Sequence, residues 1–590
     1  MNKFKNIILF LSLLVVLGSC KESWLDINED PNTPSNTTAS VRSRLPWVQH
    51  HFLYAQGTAG ARASLVTQHL TFVYNTTAQQ SLAAGWNPIA GMSTTPYQFF
   101  FVASAANISD LIAKAEAEQA YHYIGAAKLI RAMGFMLMTD WYGEMPYTEA
   151  LGAAVTPKFD DGKTIFEGCL AELDEALKYL EMTQPSTATP LSAGDSWNNG
   201  DVTKWVKLGY GLKARWLNNL SKKSALYNPD EILAAVSKAS SSIADGTVIA
   251  HQDVIENTGD VLFGDPLKTS ILFDNIGMNT NFRITKWYED ILTNFDNKGV
   301  EDPRADKLIP WAEFGIPKRF VRSKGVDMTS NIRMNAGPIN GAFNATNNPI
   351  QSNGRSVSAH SWYINSTNTE RHADTVYVSM KSSSIGYNKD VSDIYTFADG
   401  TVGATGTFYS RPDAPTHLLA YPEICFIKAE VLMRKGDKTG AYAAYREGIK
   451  AHIDLMNVKL GTYGNVNPSK SPMAQDKIDN FLNNGIGTAN DITMAKIMTQ
   501  KFIALSYSQQ NWNDMRRHDY STASYMGWSV PYEYTATSAA QVKIPLGKQF
   551  RRVRQVSHEI NYNADNVAAS HPNALSDDIW SFPVWWDIVE

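Results

Sequence analysis

Two amphipathic segments that meet at a glycine constrain the fold of this chain most strongly. The first begins at Tyr421-Pro422, where proline suits the first turn of a helix, and it ends at Arg434-Lys435-Gly436. The second runs from Thr439 to about Met456 and repeats apolar residues at helical spacing. Two helices joined by so short a turn lie antiparallel against each other. The pattern therefore predicts one tetratricopeptide-like helix pair.

The same spacing recurs in the first half of the chain. It is clearest from Thr164 to Leu180, where Thr164 and Glu167 form a predicted capping box ahead of one apolar face. Tryptophan and leucine recur at a similar spacing in the segment from Val202 to Lys222. Further helices are predicted over about 121–138, over Val202 to Lys222 and over about 491–507.

Between about 251 and 414 the apolar period fades and turn-forming residues dominate, most densely from Asn335 to Asn353. A long irregular region inside a compact protein usually serves the function. The predicted fold is mainly α: a tetratricopeptide-like helix-pair scaffold over about 41–250 and 415–590, with a large irregular, loop-rich insertion at 251–414. We predict that residues 41–590 form a single domain.

The first twenty residues have the pattern of a lipoprotein signal. Lys3 and Lys5 precede an apolar run from Ile7 to Leu17, which is too short to span a bilayer. Small residues then lead to Cys20, whose thiol can accept a lipid. We predict that residues 1–19 are the signal peptide, that Cys20 is lipidated, and that residues 20–40 form a flexible tether.

The amino-acid composition limits the classes of function that this protein can have. The net charge of −5, without any block of basic residues, argues against nucleic-acid binding. Aromatic residues make up 11% of the chain, and a surface that binds sugars would draw on them. The aromatic residues in polar, turn-rich surroundings are the candidates for ligand binding, because a ring can stack on a sugar while a neighbouring amide bonds its hydroxyls. They are Tyr74, Trp86 with Asn87, Trp287 and Trp362.

Several other residues have a structural interpretation that we prefer. Glu423 and Glu430 share a helix face and could act as acid and base, but pairing with Arg or Lys is the expected role. Arg516-Arg517 could bind an anion, yet an ion pair with Asp514 or Asp519, or contact with helix carbonyls, is favoured. We expect core positions for the remaining residues of note, which are Trp141, Trp205, Trp216, Trp585-Trp586 and the thiols of Cys169 and Cys425.

Motifs of hydrolases, zinc proteases and phosphate-binding loops do not occur in the sequence. The only adjacent histidines, His50-His51, would face different sides of a helix. We therefore predict neither a metal site nor a cofactor. A glycosidase carboxylate pair stays open as an alternative, because its members can be far apart in sequence.

Short blocks stand in a characteristic order along almost the whole chain after Cys20. Each block is weak by itself, but their joint order is highly specific. They are Leu25–Asn32, Asp140–Tyr147, Asp201–Trp205 with Leu212–Arg215, Asp302–Arg304, Glu423–Glu430, Gln500–Leu505, Asp514–Arg517, and Pro545 with Arg551-Arg552 and Glu559–Asn563. In these blocks the chain resembles the SusD/RagB family of Bacteroidetes outer-membrane lipoproteins, nearest its SusD-like branch.

The resemblance implies a non-catalytic lipoprotein that captures a glycan or peptide at the cell surface. It also implies a partner, a SusC-like TonB-dependent transporter of the outer membrane, on which the protein acts as a lid. Lys21-Glu22 after Cys20 resembles the signal that sends such lipoproteins to the cell exterior. The alternatives are a surface-anchored glycoside hydrolase with an undetected carboxylate pair and a purely structural lipoprotein.

Overall fold

The computed structural model describes residues 39–72, 79–252, 269–278, 281–314, 319–329, 360–364, 371–380, 395–397, 400–464 and 467–590. The predicted signal peptide, Cys20 and most of the tether lie outside these residues, as do Tyr74 and Asn335 to Asn353. The described chain is mainly helical, as predicted, and its strands are short.

Six of the longer helices, those that begin at Tyr121, Gly162, Val202, Tyr421, Lys438 and Met494, follow predicted segments with bounds that differ by a few residues. The helix Lys286–Thr293 lies in the region that was predicted to be irregular. The described chain has eleven longer helices. They are α1 (Val41–Val66), α2 (Ile108–Ala117), α3 (Tyr121–Tyr142), α4 (Gly162–Glu181), α5 (Val202–Asn219), α6 (Pro229–Lys238), α7 (Lys286–Thr293), α8 (Tyr421–Arg434), α9 (Lys438–Leu460), α10 (Met494–Ala504) and α11 (Gln509–Arg517). Shorter helices are Gln79–Ala84, Thr94–Gln98, Ala305–Leu308, Gln475–Asn480, Tyr532–Ala536, Ser538–Lys543, Ser557–Tyr562 and Ala564–Ser570.

The strands form small antiparallel sheets. They are β1 (Leu70–Phe72), β2 (Thr247–Ile249), β3 (Phe282–Ile284), β4 (Trp311–Phe314), β5 (Arg319–Arg322), β6 (His360–Ile364), β7 (Arg371–Val378), β8 (Tyr395–Phe397), β9 (Gly400–Ala404) and β10 (Thr416–Leu419). The pairs are β1–β3, β2–β10 and β6–β7, and β5-β4-β9-β8 form a four-stranded sheet. The region predicted to be irregular therefore contains most of the strands.

The predicted helix pair is α8 and α9, which pack along each other. Gly436 separates them with a φ of +83°, a backbone conformation that a side chain would strain. Asp437 then begins α9, because its carboxylate accepts a hydrogen bond from the Gly440 amide at 2.8 Å. The glycine turn and the proline in the first turn of α8 are confirmed.

The predicted capping box at Thr164 is wrong. Helix α4 begins two residues earlier, at Gly162, and its cap is Asp161, whose carboxylate accepts a hydrogen bond from the Thr164 amide at 2.9 Å. Glu167 instead lies near Lys163 at 3.8 Å. An aspartate three residues before Thr164 satisfies the free amides of the first turn, so the threonine becomes part of the helix.

The helices stack into one scaffold around a shared core. Helix α3 packs on α4, α4 on α5, and α5 on α6, while α8 contacts both α5 and α10. Trp141, Trp205 and Trp216 are buried, which confirms their predicted core positions. Within the described chain, Cys169 and Cys425 are buried free thiols, as predicted.

A buried group of charges joins α8, α10 and α11, and we call it the Glu430 cluster: Glu430, Arg517, Asp514 and Lys501. Arg517 donates to Glu430 at 2.5 Å and to Asp514 at 2.9 Å, and Lys501 lies 2.8 Å from Asp514. Burial alone would raise the pKa of Glu430, but the Arg517 guanidinium outweighs it and holds that pKa well below its usual range. The predicted ion pair between Arg517 and Asp514 is confirmed.

Candidate ligand-binding site

Several chain segments that border the insertion meet at one edge of the β1–β3 pair. Phe72 at the end of β1 lies opposite Phe282 at the start of β3. The Met380 amide donates to the Phe282 carbonyl at 3.1 Å, so the chain after β7 reaches the same edge. Residues of β1, β3 and the chain after β7 therefore meet at this edge.

Thr285 turns the chain from β3 into helix α7. Its hydroxyl accepts a hydrogen bond from the Tyr288 amide at 3.2 Å, which caps the first turn of the helix. The same hydroxyl donates to the Gln68 carbonyl at 2.5 Å and ties the start of α7 to the residues just before β1. Trp287, in the first turn of α7, is thereby held close to the β1–β3 pair.

The Trp287 indole is half-buried and fixed in orientation. Its Nε1 donates to the Met526 carbonyl at 2.8 Å, and its ring centroid lies 4.7 Å from that of Phe502. Gly527, with a φ of +70°, makes the turn beside the indole. An aromatic ring that is partly exposed and held by a hydrogen bond can stack on a flat ligand without losing rotational freedom.

Charges of both signs surround Trp287, and we call Trp287 with these four side chains the Trp287 site. Lys286 donates to Asp290 at 2.6 Å, and Lys324 lies 3.2 Å from Glu289. The hydrogen bond that Lys286 donates to Asp290 raises the pKa of Lys286. Each lysine has a carboxylate partner, so these four charges cancel, and the Asp327 carboxylate also acts on Lys286. A site without excess positive charge suits a neutral, hydroxyl-bearing ligand.

Trp86 does not offer a face to a ligand, contrary to the prediction. Its exposed fraction is 0%, and its Nε1 donates to the Val66 carbonyl at 3.0 Å. Four aromatic rings from distant parts of the chain enclose the indole: Tyr520, Trp528, Tyr534 and Phe550. Asn87 is also buried, and its side-chain oxygen accepts a hydrogen bond from Lys543 at 3.0 Å. Both residues belong to the core.

Of the two remaining candidates, the structure describes only the backbone of Trp362 and does not describe Tyr74. Trp362 lies in β6 opposite Val376 of β7, and β7 ends at Val378, two residues before Met380. The hairpin that carries Trp362 thus leads to the edge beside β3. Tyr74 lies outside the described residues. Nothing in the sequence pattern pointed to Phe502 and Met526, which hold Trp287; only the Gly527 turn was a local signal.

The two carboxylates that could have formed an acid–base pair on α8, Glu423 and Glu430, are engaged in structural pairs. Arg215 donates to both oxygens of Glu423, at 2.6 and 2.7 Å, and Glu430 belongs to the Glu430 cluster. Asp140 differs, because burial raises its pKa to about 6, yet its side chain accepts hydrogen bonds from Asn513 and Trp586. The predicted pairing of Glu423 and Glu430 with arginine is confirmed.

The described residues contain no group of three or more His, Cys, Asp or Glu side chains that could hold a metal ion. His51 is buried, and its ring lies 4.2 Å from that of Trp47. None of the described helices combines the length and the apolarity that crossing a bilayer would need.

Solved structures share this fold over nearly the full chain. A SusD/RagB family protein from Bacteroides thetaiotaomicron is 20% identical, with a TM-score of 0.61 and coverage of 94% of this chain and 100% of its own. A chitin-binding protein is 18% identical, with a TM-score of 0.63 and coverage of 93% and 100%. A chitin-binding SusD homolog from Flavobacterium johnsoniae is 17% identical, with a TM-score of 0.57 and coverage of 93% and 97%. At these identities the likeness shows the fold.

Sequence comparison gives the family. No curated protein matches the chain. The family model SusD-like_2, described as starch-binding associating with outer membrane, matches residues 35–319 and 359–530, which is more than half of the chain. Together with the ordered blocks and the shared fold, this match confirms the resemblance: the chain belongs to the SusD-like family.

Proposed function

We propose that this protein is a non-catalytic lipoprotein of the outer membrane that captures glycans at the cell surface. The family is described as starch-binding and associated with the outer membrane, and two of the similar structures are chitin-binding proteins. The observation that carries the proposal is the Trp287 site, a fixed, half-buried indole with charge-balanced neighbours. Such a site suits stacking on a neutral sugar ring.

Cys20 anchors the protein through its lipid, and the segment behind it is a tether long enough to let the domain move. In this arrangement the protein acts as the lid of a SusC-like TonB-dependent transporter in the same membrane. Purification of the lipidated protein from native membranes in mild detergent tests this partnership. Recovery of a large outer-membrane transporter supports it, and recovery of the protein alone contradicts it.

The Trp287 site is tested by titration of the purified soluble domain with chitin- and starch-derived oligosaccharides. We expect Trp287→Ala to weaken binding about twofold to tenfold, because a lost stacking contact is worth about 0.5–1.5 kcal/mol. Tyr562→Ala is the matched control, since that ring is 79% exposed. Equal affinity of the Trp287→Ala variant and the unsubstituted protein would remove Trp287 from the site.

A surface glycoside hydrolase is the alternative. Its catalytic pair would have to lie among carboxylates other than Glu423 and Glu430, which are bound to arginines. Prolonged incubation of the protein with the same oligosaccharides distinguishes the two functions. New reducing ends would support the hydrolase, whereas recovery of intact ligand after saturable binding supports the capture protein.

A further inference from the structure

A cavity lies in the middle of the scaffold, between α1, β10, α9 and the turn that joins α10 to α11; we call it the central cavity. Its volume is about 70 Å³. At roughly 10–15 Å³ for each water molecule, this space holds about five waters or one small organic molecule. Gln56 of α1, His417 of β10 and Tyr507 of the turn are among the residues that line it.

Three polar atoms in the wall of the central cavity are buried without a hydrogen-bond partner among the residues that the structure describes. One is Oη of Tyr507, and the other two are Oε1 of Gln56 and Nε2 of His417. A buried polar group without a partner is costly, and native proteins rarely keep one without a reason. Because the Gln56 and His417 atoms belong to the lining of one cavity, a single bound molecule could satisfy both.

Apart from polar residues such as Thr416 and Ser506, the rest of the wall is largely apolar and without uncompensated charge. Leu53, Leu272 and Leu455 contribute aliphatic surface, and Glu423 at one side is paired with Arg215. Burial lowers the pKa of His417 to about 4, so its imidazole is neutral at physiological pH. Apolar walls with a few converging polar atoms are typical of sites for small ligands. The absence of free charge among these wall residues favours a neutral ligand.

A second, smaller cavity of about 40 Å³ adjoins the first and shares Gln56, Ser508 and Gln509 with it. Its lining adds the amides of Gln510 and Asn513. Amide groups can both donate to and accept from hydroxyls. The polar side of the central cavity therefore continues into a second polar space, in which these amides also bond protein side chains and Asp140 and Arg215 form part of the lining.

We propose that the central cavity binds one small neutral hydroxylated molecule, a single sugar unit or a polyol, at a site separate from the Trp287 site. A ligand hydroxyl donates to Gln56 Oε1, and a second hydroxyl bonds His417 Nε2. The apolar face of the ligand packs on the leucines. The proposal does not depend on glycan binding at Trp287, although the wall residue Ser506 hydrogen-bonds Tyr288 of α7 at 2.7 Å.

The test uses the full soluble protein with glycerol, glucose and N-acetylglucosamine as probes, monitored by calorimetry and by the NMR signals of the histidine rings. We expect saturable binding of at least one probe, with a shift of the His417 signal. Gln56→Leu should weaken that binding at least tenfold and raise the thermal midpoint of the free protein, because it removes the unpartnered oxygen. A merely structural glutamine would lower that midpoint.

Gln475→Leu, at an exposed glutamine, is the matched control and should leave probe binding unchanged. Because the sugar probes can also bind at the Trp287 site, the shift of the His417 signal is the readout for the central cavity, and it should persist in Trp287→Ala. Absence of a His417 shift with all three probes would overturn the proposal, as would a shift that survives Gln56→Leu or is lost in Trp287→Ala. The proposed function would fail by a different result, the absence of oligosaccharide binding at Trp287.

Discussion

Substitution of Glu430 by glutamine tests how the scaffold is held together. Glu430 and Arg517 have side chains that are 0% exposed, and Asp514 and Lys501 are 1% exposed. Glu430 also accepts hydrogen bonds from Asn218 at 2.9 Å and from Arg434 at 3.1 Å. Two carboxylates therefore balance the two buried cations, and Glu430 also pairs with the partly exposed Arg434. Glutamine preserves the shape of Glu430 and removes its charge.

The expected loss of stability is large. Removing one partner of a buried ion pair costs about 3–5 kcal/mol, because the remaining charge stays buried without compensation. In the Glu430→Gln protein, Asp514 alone faces Arg517 and Lys501, so one positive charge in the interior is unbalanced. A loss of this size is a substantial part of the roughly 5–15 kcal/mol that stabilises a typical domain.

Urea unfolding followed by tryptophan fluorescence measures the change. Glu175→Gln is the matched control, since Glu175 is 50% exposed in its pair with Lys128 and should cost at most about 1 kcal/mol. The double variant Glu430→Met with Arg517→Met leaves Asp514 and Lys501 balanced, and it should be more stable than Glu430→Gln alone. A Glu430→Gln cost no larger than that of Glu175→Gln would refute this reasoning.

Three further predictions concern pH, the helix pair and the anchor. Burial lowers the pKa of four histidines from 6.5 to about 3 or 4, so the folded protein keeps them neutral; they are His51, His69, His417 and His518. Because these histidines become protonated when the chain unfolds at about pH 5, unfolding should take up protons there. The free energy of unfolding should therefore fall as the pH falls from 6.5 towards 4. Calorimetry in buffers of different ionisation enthalpy checks this, and proton release would contradict it. Gly436→Ala should cost about 1–2 kcal/mol in urea unfolding because φ is +83°, while Gly436→Asn should cost less; equal losses would contradict the conformational argument. Cys20→Ala should move the protein from the membrane to the soluble fraction with its ligand affinity unchanged, and retention in the membrane would argue against lipidation.

Local patterns in the sequence predicted the helical scaffold well. The segments at 421–456 and 164–180 carry their apolar residues at helical spacing, and both are helical in the structure. The misplaced cap at Thr164 shows how such patterns fail: a second acceptor, Asp161, lies close enough to start the helix earlier. Helix ends depend on which acceptor is used, and the sequence motif alone does not decide between two.

Those local patterns could not predict contacts between residues that are distant in the sequence. Pairing of Glu430 with an arginine was predicted, but its partner Arg517 is 87 residues away. Trp86 is enclosed by rings of residues 520–550, which no local pattern connects to it. Its polar neighbour Asn87 suggested a loop surface, whereas that amide is itself buried. Only the tertiary fold determines whether a tryptophan beside polar residues is core or binding surface.

Equilibrium titration of the purified protein with chitin- and starch-derived oligosaccharides, with the ligand recovered and its reducing ends counted, tests the central claim most directly. The account predicts saturable binding of at least one of these glycans and full recovery of intact ligand. Failure of every glycan to bind, or the appearance of new reducing ends, would contradict a non-catalytic glycan-capturing protein.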